Sequence, residues 1–569
     1  MTCLNRVLFR KNLCGNGKRG LQLPFFTFFL SIMAKLWHEF SKPRTPSPRS
    51  IAIDFELAMK LLAVGIYAVI LLVIGHVASK RVKSIRDYFV SGKSLGFFNV
   101  AFSARATGES AWLLLGLTGM GYAVGVQAFW VVLGEVLGVC GAWIFMARRF
   151  KRLTDQYDSI TVPDYLESRL RDSSHSLRLI AAFALMVFVP IYAGAQVFAT
   201  GIAFHAFLGW NHYAGAAAGF AVVMLYITKG GFTAVVWSDV FQGSLMVVGL
   251  VALPLVALNH IGGISDVTAA LTAIDPHLLS WHGPGTDGPG TGAWNTSAII
   301  SILGMAAIGI GFLGSPQVFV RYISMKDEKQ ILPGTITAGI WTVLADSGAV
   351  LVGMFGRVIY TSNDLGGNVD HVLPVMAQGL LPAFFAGLFI AMVLSAIMST
   401  IDSLLVVASS AGVRDYWQKT KHPEMSDERL MSLTRKVTIT LSLISFCIGI
   451  GIMMVDREHG VFWTIIFGWS GIAATFCPTI ILSLCWSKLT ALGAKCAMIA
   501  GFLSVPMFKW AVPPLLNGAG LETWSGYLES LDVLLPSFLV GFLVAIAVSL
   551  CDKKGRARME GMAAELRGS

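Results

Sequence analysis

Apolar residues run through this chain in stretches of about 20, the length a helix needs to cross the hydrocarbon of a bilayer. About thirteen such helices are predicted, near residues 57–78, 97–120, 126–147, 175–208, 212–228, 236–259, 296–314, 335–356, 380–412, 433–454, 461–485, 489–511 and 532–550. No interval between them is long enough for a separate soluble domain. The pattern says most where polar residues interrupt it. In the ninth stretch, Ala396, Ser399, Thr400 and Ser403 fall at i, i+3, i+4 and i+7 and so share one helix face. A stripe of hydroxyl oxygens within a membrane suits a small hard cation that must shed water. Hydroxyls so placed also join helices or bond back to their own carbonyls, and both readings stay open at this point.

Two other stretches are interrupted by Gly, Pro or charge. One is Ser103-Ala104-Arg105-Ala106-Thr107-Gly108-Glu109-Ser110 in the second span; the other is Gly309-Ile310-Gly311-Phe312-Leu313-Gly314-Ser315-Pro316 in the seventh. Interrupted spans at matching places in two halves point to an inverted repeat with a central site. Unwound backbone there frees carbonyls for a cation and amide N–H groups for a carboxylate, although two Gly-rich packing faces would give the same pattern. The predicted fold is an all-α polytopic membrane protein with a 5+5 inverted-repeat core of broken helices. Its expected layout is a peripheral first helix and loop at 51–96, a core at 97–485 with repeats 97–259 and 296–485, and two peripheral helices and a tail at 486–569. Ionisable groups inside spans are costly, about 3 kcal/mol or more each when uncompensated. Arg105 and Glu109 are spaced to pair on a helix. Glu135 and Asp346 fit packing or a water cavity, Asp239 fits an interfacial carboxylate, and Asp402 lies off the Ala396/Ser399/Thr400 stripe.

Composition agrees with a membrane protein: of 569 residues 55% are hydrophobic and only 13% charged, against about 25% charged in soluble domains. The net charge of +10 reports topology rather than a nucleic-acid partner. Lys80, Arg81, Lys83, Arg148, Arg149, Lys151, Lys326, Lys419, Lys553 and Lys554 fall in every second loop or the tail, whereas His260 to Ser297 holds no Lys or Arg. The positive-inside rule then puts the basic loops and the C-terminus in the cytoplasm of a cell (inner or plasma) membrane. Residues 1–50 are basic and conflict with that scheme; they read as a start assigned too early, with Met33 or Met59 as the true one, or as an unfolded leader. The eight cysteines are scattered without a CxxC pair and read as small core residues, with no transition metal expected.

Several segments together carry a resemblance: Asp87-Tyr88-Phe89-Val90-Ser91-Gly92, Thr161-Val162-Pro163-Asp164-Tyr165, Gly230-Gly231-Phe232-Thr233 through Trp237-Ser238-Asp239, Phe467-Gly468-Trp469-Ser470-Gly471 and Ala396-Ile397-Met398-Ser399-Thr400. From about residue 57 to 550 the chain resembles the sodium/solute symporter family, and within it the bacterial sodium/proline symporters. The resemblance implies Na+ between the first and eighth core helices, held by the carbonyls of Ala106, Glu109 and Ala396 with the hydroxyls of Ser399 and Thr400. It implies an ion path past Asp239, and a solute pocket at Trp112, Tyr192 and Phe312 with Pro316 beside it. The chain departs from those symporters at Gly108, where they carry an Asp, and at Arg105, where a small residue is usual. Ile308 and Phe312 stand where they have other pocket aromatics. Arg105 is thus a candidate modifier that weakens Na+ binding or holds a substrate carboxylate.

These observations predict a sodium-coupled symporter that imports proline or a related amino or carboxylic acid by alternating access, with Na+ and the solute as its partners and no obligatory protein partner. The alternatives are a solute-binding membrane sensor and an H+-coupled or uncoupled carrier of the same fold. An enzyme is disfavoured, because His205, His371 and the other histidines are dispersed and no HExxH or GxSxG occurs.

Overall fold

The computed structural model describes residues 48–227, 231–285, 292–455, 460–561 and 565–566, so all but the end of the basic 1–50 segment lies outside the described residues. The helical bundle is the compact unit that begins at Leu57. Helices carry nearly the whole described chain: α1 (Pro48–Ser79), α2 (Phe97–Gly108), α3 (Thr118–Val124), α4 (Phe129–Gly141), α5 (Ser176–Leu208), α6 (His212–Ile227), α7 (Gly231–Ile261), α8 (Thr296–Ala307), α9 (Pro316–Ser324), α10 (Ile331–Ile359), α11 (Ala383–Ser410), α12 (Asp427–Val455), α13 (Val461–Cys485), α14 (Ala491–Pro506) and α15 (Leu534–Cys551).

Among the described residues, 11 helices are long and apolar enough to cross a membrane, fewer than the thirteen expected. The physical reason lies in two places. The stretch expected at 97–120 is divided between α2 and α3, with residues 109–111 between α2 and the wide turn that begins at Trp112, so neither part spans alone. The stretch at 212–228 gives α6, only 16 residues long.

Each break follows from local chemistry. In α2 the last helical bond runs from the Glu109 N–H to the Arg105 carbonyl, and Glu109 then turns to extended backbone (φ −87°, ψ 127°). Ala106, Thr107 and Gly108 therefore end the helix with carbonyls that have no intrahelical partner. In the matching span α8 tightens into the 3₁₀ turn Ile308–Leu313, the chain straightens at Gly314, and Pro316 opens α9 at a position where its missing N–H costs nothing. The tight turn packs backbone to backbone on α4: a Cβ on Gly309 would sit 1.9 Å from the Gly134 carbonyl oxygen. Close approach of this kind is what glycine permits.

The two broken spans are tied together at the basic-loop end. Leu95 N–H donates to the Ser324 carbonyl at 3.1 Å and Lys326 N–H to the Leu95 carbonyl at 2.9 Å, a short parallel bridge between the segments flanking α2 and α9. α2 lies against α7, α9, α10 and α11. α11 is buried along almost its whole length, as a helix that is apolar nearly all round must be, whereas α1, α14 and α15 leave many large apolar side chains exposed, as lipid-facing helices do. Basic side chains gather on one end. Lys93 and Lys151 pair with Asp155, Arg148 with Glu328, and Lys495 with Asp172, while Arg152 donates to the carbonyls of Glu565 and Leu566 in the tail.

Candidate functional site

The hydroxyl stripe of α11 meets the break of α2. Ser399 Oγ lies 2.7 Å from the Ala106 carbonyl oxygen and 2.8 Å from that of Ser395. Thr400 Oγ1 lies 3.2 Å from the carbonyl oxygens of Thr107 and Glu109 and 3.0 Å from that of Ala396. Each hydroxyl has one proton, so it donates to one of these oxygens at a time, and the others are left facing a lone pair. The result is a surplus of oxygen acceptors in a place where all seven residues are buried. A small hard cation satisfies such a surplus, because carbonyl and hydroxyl oxygens stand in for its water. The sequence assignments Ala106, Glu109, Ala396, Ser399 and Thr400 converge here on one point. Thr107 joins them, unforeseen because only the course of the broken backbone turns its carbonyl toward Thr400.

One turn further toward the basic-loop end lies a second polar cluster. Asp239 is fully buried rather than an interfacial, solvated carboxylate. It accepts from Ser103 Oγ at 2.6 Å and pairs with Arg321 Nη2 at 3.0 Å. The same guanidinium reaches Thr107 Oγ1, and Ser403 Oγ at 2.5 Å, while its Nε donates to Ser103 at 2.9 Å. Thr107 Oγ1 and Ser403 Oγ are 2.8 Å apart, so this cluster directly adjoins the Ser399/Thr400 oxygens. Arg321 escaped the sequence reading: it follows Pro316 on α9 beside a basic loop, where an arginine looks like topology. Asp402 accepts from Ser403 at 3.2 Å.

The predicted pocket aromatics gather on the other side of the α2 break. Phe312 packs on Trp469 (ring centroids 5.0 Å) and Tyr192 on the same indole (6.4 Å). Trp112 stands edge-on to Phe462 at 5.9 Å, and its Nε1 donates to the Gly108 carbonyl at 3.2 Å. Pro316 is not among them; it lines a small cleft with Phe89, Thr161 and Val406. The segment between α2 and Trp112 is held by Gln196 of α5, another residue the sequence did not flag. Gln196 Oε1 accepts the Ala111 N–H at 3.2 Å, and its Nε2 donates to Ser110 Oγ at 3.0 Å. Arg105 stacks 4.7 Å from the Phe312 ring centre and 5.3 Å from that of Trp341. It pairs with Glu109 as expected, and also with Glu135 at 3.0 Å and Asp346 at 3.7 Å, two carboxylates that sequence alone could not bring to one place.

Comparison with known proteins gives the family. A sequence model of the sodium:solute symporter family matches residues 88–501. The chain belongs to that family. It is 30% identical over 498 residues to the osmoregulated proline transporter OpuE of Bacillus subtilis, an alignment covering 87% of this chain and 95% of that protein. It is 29% identical over 514 residues to the sodium/proline symporter of Escherichia coli, covering 89% and 95%. Among solved structures, a Na+-coupled sialic acid symporter in a substrate-bound outward-open state superposes with a TM-score of 0.69 at 20% identity, covering 87% of this chain and 98% of that one; at that identity the match speaks for the fold. This symporter-family chain is a multi-pass membrane transporter, not an enzyme, and Na+ is its coupling ion.

Proposed function

We propose that the chain imports a small amino-bearing organic solute with Na+ by alternating access, the ion binding where α11 meets the break of α2. The observation that carries this reading is the convergence of the Ser399 and Thr400 hydroxyls on carbonyls released by the ending of α2. The solute contacts Trp112, Tyr192 and Phe312. Glu109 and Trp112 belong to one short segment, so an ion that orders the Glu109 carbonyl also sets Trp112, and coupling of this kind is reciprocal. The basic loops and C-terminus face the cytoplasm, which makes the Asp239–Arg321 cluster the barrier that Na+ passes on its way in. One charge moving down 100 mV supplies about 2.3 kcal/mol, enough for roughly fifty-fold accumulation. Proline is what the named relatives carry, which makes it the first solute to try.

The test is uptake of L-proline, L-lysine and L-lactate into vesicles containing the protein, under an inward gradient of Na+ or of K+. At least one solute accumulates with Na+ alone, and the Ser399→Ala/Thr400→Ala variant loses that accumulation. Equal accumulation in K+, or an unaffected double variant, rejects the site.

A further inference from the structure

Glu109 on the α2 break, Glu135 on α4 and Asp346 on α10 are all fully buried, and one oxygen from each lies within 4.8 Å of the others. Among the described residues, all three pair with Arg105 and with no second cation. The same guanidinium nitrogen, Nη2, makes all three pairings, while Nε and Nη1 have no hydrogen-bond partner. Glu135 Oε1 and both oxygens of Asp346 are likewise without a hydrogen bond. One guanidinium therefore faces three carboxyl groups away from water, where each that ionises needs a cation or else keeps its proton. The ion site described above adds one further charge next door, since Glu109 contributes its carbonyl there and its carboxylate here. With all three carboxyls ionised, one negative charge remains, and a proton or a further cation matches it.

Resting on that reading of the ion site, we propose that Glu135 and Asp346 form the solute's amine subsite, so that the transported solute carries a net positive charge. The placement supports this. Arg105 stacks on Phe312, which packs on the same Trp469 as Tyr192, so the carboxylates adjoin the pocket aromatics. A protonated amine supplies the charge and donates to the unpartnered oxygens of Glu135 and Asp346, and aromatic faces beside it favour a cation. The free Arg105 donors Nε and Nη1 donate to a carboxylate if the solute has one, as a basic amino acid does. A carboxylic acid without an amine leaves Glu135 and Asp346 unmatched and adds a negative charge. A zwitterion such as proline satisfies the hydrogen bonds and leaves the charge open.

Binding of putrescine, L-lysine, L-proline and L-lactate to the purified full-length protein in lipid nanodiscs tests this, with each probe added in Na+ and in K+ and read as a shift of the thermal midpoint. Putrescine or L-lysine is expected to bind at least about tenfold more tightly than L-proline, with no shift from L-lactate. Glu135→Gln and Asp346→Asn are each expected to weaken the cationic probe at least about tenfold. L-Proline or L-lactate binding as tightly as the cationic probes overturns the proposal, and so does the absence of any shift with them. A cationic-probe affinity unchanged in both variants overturns it as well. Loss of the Na+-induced shift in these variants, with the ranking of probes unchanged, makes the cluster a second Na+ site and also overturns it. The ranking in the unmodified protein stands even if a variant does not fold. Absence of any Na+ shift in the unmodified protein instead counts against the ion site at Ser399 and Thr400.

Discussion

Gly108 and Phe312 are complementary across the two broken spans: a Cβ built on Gly108 would lie 2.4 Å from Phe312 Cε1 and 2.8 Å from its Cζ. The ring has little freedom to yield, because Trp469 packs on it and the Arg105 guanidinium lies over it. The absence of a side chain at Gly108 is thus what lets the two broken spans close on each other here.

Gly108→Asp is therefore expected to lower the thermal midpoint, since overpacking of this kind costs about 1–3 kcal/mol. It would also set a fourth carboxylate beside Glu109. Phe312→Ala combined with Gly108→Asp should recover part of the loss by removing the clash. Thermal unfolding of the two variants in nanodiscs checks this, and a Gly108→Asp protein as stable as the parent contradicts it.

Removing the Ser399 hydroxyl takes one oxygen from the proposed ion site and also leaves the Ala106 carbonyl without its 2.7 Å partner. Ser399→Ala and Thr400→Ala should each raise the Na+ concentration for half-maximal stabilisation by about tenfold, about 1.4 kcal/mol. Ser403→Ala, whose hydroxyl faces Arg321 instead, should leave it nearer the parent value. Na+ titrations of the thermal midpoint, at constant ionic strength, distinguish these outcomes.

The Asp239–Arg321 pair is fully buried on both sides. Breaking such a pair from one side costs about 3–5 kcal/mol, because the remaining charge stays buried and uncompensated. Arg321→Met and Asp239→Asn should each be strongly destabilising, and the double variant less so than the two losses summed. A double-variant cycle on unfolding free energies measures the coupling; strict additivity would mean that the two side chains do not act as a pair.

Asp370 lies outside the spans, between α10 and α11, where burial pushes its carboxyl up to about 6 against the pull of the Val461 N–H that it accepts at 2.8 Å. A folded-state value above the unfolded one, about 4, means that the contribution to stability is complete below about pH 4 and is lost as the pH rises through about 6. Two units correspond to about 3 kcal/mol at full effect. The thermal midpoint should therefore fall between about pH 4 and pH 7. Asp370→Asn, which keeps an oxygen for Val461, should remove this part of the slope; midpoint-against-pH curves for both proteins decide it.

Much of the architecture was legible in the chain because the bilayer imposes it. An apolar run of about 20 residues has few alternatives to a helix, and a Gly/Pro interruption in such a run has few alternatives to a break. That Ala396, Ser399 and Thr400 share a face was legible too, since any α-helix puts them there, whereas Ala106 and Glu109 were named only through the resemblance to a family. Other residues could not be read. Arg321 looked like one more loop charge, Gln196 like a polar residue in an apolar helix, and Glu135 and Asp346 like isolated carboxylates. Nothing in their spacing links residues on α4, α5, α9 and α10, since side chains from separate helices have no common period.

The sequence by itself determined that this chain lives in a membrane, where its helices run and break, and which hydroxyls share a face, because all of these depend on local periodicity and on the cost of bare polar groups in hydrocarbon. Only the tertiary structure decided that Arg321 closes on Asp239 beside the Ser399 and Thr400 hydroxyls and that three carboxyl groups surround Arg105. Those pairings depend on how separate helices pack, and charge balance in a buried site is settled across helices rather than along one.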